Sequence, residues 1–321
     1  MAVARPHLPP RAAARLDEFE SPHVLGASRQ LEIAADLLVC VAEEHEGNGS
    51  DLVRQLRHVA AYLAALRGES SQAIPNALAL MLDRIDDRQH WPLDEFRASV
   101  VEQARGYRKQ ARRRMAAITE YGATLASGAE RILVFDYSSS VAAILKAIGH
   151  AGVISTVVIP EARTLDGGRR YVEDLQDSPL TFEFIPDAAI GSKVKGCDLA
   201  FIGAETISAE GGCYNTTGSF MVALACQYWR VPLYTPTTLI KIDTRTLFGY
   251  HRPIPDLDSA RLGRLTEGWP NTLAVRVNVS SPDLDYVPPE LMAGFVTEAG
   301  ILPPATIVAH AARLAGFRWD G

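Results

Sequence analysis

The sequence predicts an α/β protein, an N-terminal α-helical domain followed by a Rossmann-like parallel-sheet domain. Three observations carry this. Up to residue 121, apolar residues recur at helical spacing with no strand-like run between them. From residue 122, short β-branched runs alternate with helical stretches. A length of 321 residues also exceeds what one core usually serves. The expected division is a disordered tail over 1–25, a helical domain over 26–121 and a Rossmann-like ligand-binding domain over 122–321.

The opening MAVARPHLPPRAAAR has no apolar stretch of the kind a secretory signal needs and reads as the tail. Arg29 to Glu44 then places Leu31, Ile33, Ala34, Leu37, Leu38 and Val41 on one helical stripe. Gly47-Asn48-Gly49 breaks it, and Ser50-Asp51 is the expected cap of the next helix, which carries Leu52, Leu56, Val59, Leu63 and Leu66. Gly68 to Ser71 is a second break. A further helix is expected after Pro75, and Trp91-Pro92 ends that stretch. A long polar helix from about Asp94 to Tyr121 bears Arg108, Lys109, Arg112, Arg113 and Arg114, read as a solvated face.

In the second half, strands are expected at Arg131–Phe135, Val153–Ile159, Thr181–Ile185, Asp198–Ile202 and Pro232–Thr235. Helices are expected at Val141–Ile148, from Gly168, after Pro186 and at Ser219–Tyr228. This alternation demands right-handed crossovers and a parallel sheet, with ligands at the carboxyl ends of the strands. Neither G-x-G-x-x-G after the first strand nor a Walker A sequence is present, so the usual dinucleotide and nucleoside-triphosphate fingerprints are excluded.

Composition narrows the function classes. The chain is 47% hydrophobic and 22% charged, which excludes collagen and disordered polyelectrolytes. Lys+Arg of 32 against Asp+Glu of 38 gives a net charge of −6, and a dedicated nucleic-acid binder would carry a basic face instead. The four cysteines show no C-x-x-C pair or zinc spacing, so they read as reduced thiols in a cytoplasmic protein, and neither a metal nor a cofactor is expected. No apolar run reaches the length of a membrane span.

Three strand ends concentrate the polar chemistry. Asp136-Tyr137-Ser138-Ser139-Ser140 leaves the first strand and opens a helix; it reads equally as an anion site or as a plain serine N-cap. Pro160 to Gly168 leaves the second, and its Arg163 reads either as a phosphate ligand beside a flexible Gly-Gly or as a surface ion pair with Glu161 or Asp166. Gly203-Ala204-Glu205 leaves the fourth. A Gly-rich loop then carries Asn215, Thr216, Thr217, Gly218 and Ser219 into an apolar helix, a pattern that suits a phosphate or polyhydroxyl ligand. Asp136 and Glu205 thus point into one crevice, where an acid and a base together can move protons on a sugar, unless solvent or backbone amides satisfy both.

In this order, ILVFDYSSSVAAIL, IPEARTLDGGR, FIPDAAIGSKVKGCDLAFIGAETISAEGGCYNTTGSFMVALAC and DYVPPELMAGFVTEAGILPPATI resemble the regulatory α, β and δ subunits of translation initiation factor 2B. That family also contains methylthioribose-1-phosphate isomerase and archaeal ribose-1,5-bisphosphate isomerase. The resemblance spans about Gly122 to Leu314. It implies a homodimer or higher homo-oligomer paired through the Rossmann-like domain. For the enzymes of the family it implies interconversion of an aldose 1-phosphate and a 2-ketose. It matches Arg163 to the family's phosphate Arg, Asn215 to its Asn, Gly218-Ser219 to its Gly-Thr and Lys241 to a late Lys, with Arg67 as the candidate from the helical domain. Asp136 stands where the enzymes have their catalytic Cys, Glu205 where they have Asp, Thr216 where they have Lys, and Phe135 at the preceding His-type position.

The resulting expectation is a divergent isomerase of a ribose-1-phosphate-type substrate, with Asp136 and Glu205 as catalytic pair. Ser138, Ser139, Arg163, Asn215, Thr216, Thr217, Gly218, Ser219, Lys241 and Arg67 are its expected ligand-binding residues. The alternative is a noncatalytic initiation factor 2B α-like regulatory subunit that binds a sugar phosphate or nucleoside monophosphate.

Overall fold

The structure is a computed structural model that describes residues 3–21, 27–68, 71–152, 156–257, 262, 266–270 and 276–316. It divides into two compact units. Among the described residues, one comprises the chain up to Arg114 with Ile240–Ile242, and the other comprises Met115–Leu239 with the chain from Asp243 to Gly316. The division falls inside a helix, ahead of the boundary expected at 121.

The first unit is helical. Residues 10–20, expected within a disordered tail, form helix α1 (Pro10–Glu20) instead. Ala12, Leu16 and Phe19 recur at four and three residues, and all three are buried. Proline at the first helical position loses no bond, because that amide has no partner within a helix. α1 packs on α2 (Ala27–Glu44). α3 (Gly49–Arg67) is capped by Asn48, whose side chain accepts from the Asp51 amide at 2.9 Å. The expected cap lay at Ser50-Asp51; the asparagine of the preceding break supplies it. α4 (Ala73–Met81) starts ahead of Pro75, which the first turn of a helix tolerates. The buried Asn76 Nδ2 donates to the carbonyls of Ile240 and Ile242, at 2.7 and 2.9 Å. α5 (Leu93–Leu125) is the long polar helix. Of its arginine cluster, Lys109, Arg112 and Arg113 are exposed, while Arg108 pairs with Asp36 at 2.6 Å.

In the second unit, β1 (Arg131–Phe135), β2 (Thr156–Pro160), β3 (Thr181–Ile185), β4 (Leu199–Ile202) and β7 (Leu233–Pro236) follow the strands read from the sequence. Residues 153–155 of the expected second strand lie outside the described residues. Two strands that periodicity did not reveal, β10 (Gly294–Thr297) and β11 (Gly300–Leu302), extend the sheet. Its order is β11-β10-β7-β4-β1-β2-β3, and every pairing is parallel except β10 with β11. The chain runs outward from β1 through β2 to β3, then crosses back to β4 on the other side of β1. The switch point therefore lies between β1 and β4, where such sheets bind ligands.

Helices α6 (Ser139–His150), α7 (Gly167–Leu175), α8 (Ile190–Lys193) and α9 (Ser219–Trp229) alternate with these strands, and α10 (Ile307–Gly316) closes the described chain. β1 is buried on both faces through Ile132 to Phe135, as the core strand of a parallel sheet must be. A second sheet joins β5 (Thr206–Ser208), β6 (Cys213–Thr216), β8 (Ile242–Asp243) and β9 (Leu284–Val287) in the order β8-β5-β6-β9. It rises from the carboxyl end of β4.

Candidate active site at the strand switch point

Asp136 ends β1 with φ 52°, a left-handed conformation that aspartate tolerates better than most residues. Its Oδ2 accepts from the Thr216 hydroxyl at 2.5 Å, and the Tyr137 amide donates to the same carboxylate. Burial pushes the Asp136 carboxyl above its ordinary value of 3.8. The Thr216 and Tyr137 bonds oppose that, the negative charge of Glu205 adds to it, and Arg170 subtracts from it. Gly167 packs directly on this group: a Cβ there would lie 1.7 Å from Asp136 Oδ1. At Gly168 a Cβ would lie 2.1 Å from the Pro160 carbonyl oxygen. The glycine pair read as flexible is thus a close-packed start of α7.

Ser138 caps α6, accepting from the Val141 amide at 3.5 Å, while its own amide donates to the Tyr171 hydroxyl at 3.0 Å. Ser139 is exposed on the first turn. Across the switch point, Gly203 lets three chains converge. A Cβ there would lie 3.1 Å from Ser138 Cβ and 3.2 Å from Asn215 Oδ1. Glu205 follows, half-buried, its amide donating to the Tyr214 carbonyl at 2.8 Å. Asp136, Ser138, Gly203, Asn215 and Thr216 therefore gather at one point, with Glu205 close enough for its charge to act on Asp136.

The loop after β2 is held by a residue that sequence reasoning did not single out. The amides of Ala162 and Arg163 each donate to the Asp187 carboxylate at 2.9 Å. This leaves the Arg163 side chain exposed, and it forms neither of the ion pairs with Glu161 or Asp166 read as an alternative. Asn215 Nδ2 donates to Ser219 Oγ at 2.8 Å, and Ser219 Oγ donates to the Thr216 carbonyl at 2.7 Å. Thr217 donates to the Pro282 carbonyl.

The start of α9 brings the clearest difference from the sequence reading. The Gly218 and Phe220 amides donate to Asp285 Oδ2, at 2.7 and 3.0 Å. The chain's own carboxylate thus occupies the helix N-terminus expected to cradle an anion. Asp285 lies in the D-Y-x-P element of the resemblance, so its position was signalled, but its role as a cap was not. Arg67 ends α3, and Lys241 follows the turn after β7; both are grouped with the first unit.

None of the four cysteines offers a thiolate. All are buried, burial raises each of them, and Cys213 and Cys226 are pushed up to about 12. Among the described residues no group of three or more His, Cys, Asp or Glu side chains is arranged to hold a metal ion. No helix among them is long and apolar enough to cross a membrane.

The profile of the initiation factor 2 subunit family matches residues 24–304. The chain belongs to that family. Among curated members of the initiation factor 2 subunit family, the ribose 1,5-bisphosphate isomerase of Haloterrigena turkmenica is 24% identical, over 98% of this chain and 97% of its own. Among solved structures, the translation initiation factor eIF-2B of Pyrococcus horikoshii OT3 superposes with a TM-score of 0.74 at 21% identity, covering 94% of this chain and all of that one. The 5-methylthioribose 1-phosphate isomerase of the same organism superposes with a TM-score of 0.75 at 19% identity, covering 95% of this chain and 87% of that one. At these identities the superpositions establish the fold. The initiation factor 2 subunit family thus spans proteins named as isomerases and proteins named as initiation factors.

Proposed function

We propose that this protein is a sugar-phosphate isomerase that converts an aldose 1-phosphate of the ribose type into the 2-ketose. The observation that carries the reading is the half-buried Asp136 carboxyl at the switch point, held by Thr216 and raised in its proton affinity by desolvation, with Glu205 close enough for its charge to act on it. A raised carboxyl holds a proton to give, and a neighbouring carboxylate can take one. Asp136 gives its proton to the ring oxygen as the C1–O bond opens. Glu205 removes the hydrogen from C2, forming the C1–C2 enol, and returns it to C1. As C2 becomes a carbonyl, its hydroxyl proton passes back to Asp136, and the site is restored.

The phosphate lies against the Arg163 guanidinium, whose planar fork suits two phosphate oxygens. The hydroxyl of Ser139 lies on the adjacent strand end. Because Asp285 already caps α9, Asn215 and Thr216 contribute through side chains and not through helix amides. Two relationships support the reading: the Haloterrigena relative, whose name gives it a phosphorylated ribose as substrate, and the absence of an activated thiol, which leaves the carboxylates as the proton-moving pair. In this reading the protein acts as a homodimer or higher homo-oligomer.

Calorimetric titration with ribose 1-phosphate, ribose 1,5-bisphosphate and nucleoside monophosphates, followed by product analysis, tests it. Wild type is expected to bind and turn over a phosphorylated ribose. Glu205→Gln is expected to lose about 10²- to 10⁴-fold in kcat while affinity stays within a few-fold, because only proton transfer is removed. Binding without turnover would assign the chain to the regulatory, initiation factor 2B α-like kind. No heat with any of these ligands would remove both readings.

A further inference from the structure

Arg252 is a cation that no step above uses. It is a buried residue in an irregular segment ahead of β9, and a charge is costly to bury without compensation. Its surroundings are ordered around it. Its Nη1 donates to the Thr206 hydroxyl at 2.5 Å. Its guanidinium lies 5.6 Å from the centre of the Tyr214 ring. Its backbone amide donates to the Tyr214 hydroxyl. Thr206 and Tyr214 are partners in the β5–β6 ladder, and Thr206 directly follows Glu205 in sequence. The Tyr214 carbonyl accepts the Glu205 amide at 2.8 Å. One arginine thus ties together both residues that fix the Glu205 backbone. The segment after it is held in turn, because the Leu257 amide donates to the Ser281 carbonyl and the Asp283 amide to the Pro255 carbonyl.

We propose that Arg252 is a positioning residue for Glu205: it clamps the β5–β6 hairpin behind that side chain and supplies the fixed positive charge opposite its carboxylate. This rests on the reading of Glu205 as the proton-moving base. The charges around Arg252 support it. Burial lowers the guanidinium's proton affinity, and Glu205 is its strongest counter-charge, followed by Tyr214, Asp243 and Asp283. Asp243 is already taken: it accepts from the Arg245 backbone amide, Nε and Nη2 at 3.0, 2.9 and 2.8 Å. The charge of Glu205 also acts on the carboxyl of Asp136, which in turn feels Arg170. Arg252 therefore sets a positive charge against Glu205, whose own charge acts on a second acid.

Labelling with a water-soluble carbodiimide and an amine, read by peptide mass spectrometry from about pH 5 to 8, tests this without any substrate, because the reagent attacks protonated carboxyls. Arg252→Gln is expected to raise Glu205 labelling near neutral pH severalfold. Labelling of the exposed Glu210 on the same hairpin should be unchanged, and Arg252→Lys should restore the wild-type profile. Arg252→Met, which keeps the apolar stem without the charge, provides the same reading if the glutamine variant does not fold. Glu205 labelling that matches wild type in a folded, charge-free variant overturns the proposal. Failure of the isomerase reading shows separately, as absent turnover in the wild type.

Discussion

At Asp136 the protein places an acidic side chain where folding alone would not. The backbone is left-handed, the side chain is half-buried, and Gly167 is reduced to a hydrogen so that Oδ1 has room. The raised proton affinity has a thermodynamic consequence of fixed sign. Between its ordinary value of 3.8 and its raised value, the folded state keeps a proton that the unfolded chain has released. Stability attributable to this group therefore falls as pH rises through that window, and stays lower above it. Asp136→Asn keeps an acceptor for Thr216 and removes the ionisation. Its stability relative to wild type is expected to improve between about pH 4 and pH 7, measured by urea denaturation at both. Parallel curves would show that Asp136 titrates alike in the folded and unfolded chain. The residue type at this strand end was legible in the sequence. Its partners Thr216 and Tyr137 were not, because one comes from a strand 80 positions away.

Among the elements, the buried parallel strands were readable because Ile132 to Phe135, Val157 to Ile159 and Leu199 to Ile202 are continuous apolar runs. β5 and β6 were not, since Thr206–Ser208 and Cys213–Thr216 read as a polar, glycine-rich loop. Their strand character comes from β6 pairing with β9, Cys213 opposite Val287 and Asn215 opposite Asp285. α1 was hidden by prolines and arginines around only three apolar anchors. The β6–β9 pairing also decides who caps α9, because it carries Asp285 to the Gly218 and Phe220 amides. Asp285→Ala is expected to cost about 1–2 kcal/mol in urea denaturation, the usual range for losing a cap, and Asp285→Asn less. A free α9 N-terminus in Asp285→Ala also changes what the site offers an anion. Unchanged phosphate affinity in that variant would confirm that wild-type recognition lies with Arg163 and the side chains, not the helix.

For the whole molecule, α9 poses the remaining physical problem. Val222, Ala223 and Cys226 face the interior, yet Phe220, Met221, Leu224 and Tyr228 on its other side are exposed, Leu224 by 46% and Tyr228 by 77%. A helix that is apolar all round belongs in an interior, and one lying on a surface is suited to cover by a partner. A second copy is the occupant expected to cover this stripe in the assembly proposed above, since a two-fold interface would set the same patch from both sides against itself. Tyr228 and Trp229 meet edge to face at 4.9 Å, the Trp229 indole nitrogen donates to the Gly191 carbonyl, and Lys195 lies 5.0 Å from that ring. An ordered aromatic cluster thus borders the stripe and limits the entropy lost on docking. Leu224→Asp combined with Tyr228→Asp is expected to convert the dimer to a monomer in light scattering after gel filtration, with unchanged circular dichroism, because two carboxylates would face their own copies across the axis. A mass that stays dimeric would exclude this face. If it does become monomeric, ligand affinity becomes informative, because the same helix begins at Ser219, directly after the β6 end that carries Asn215 and Thr216. Docking that steadies α9 along its length also steadies the end of β6 just ahead of it, where Thr216 contacts Asp136, so weaker sugar-phosphate binding is expected in the monomer by calorimetry.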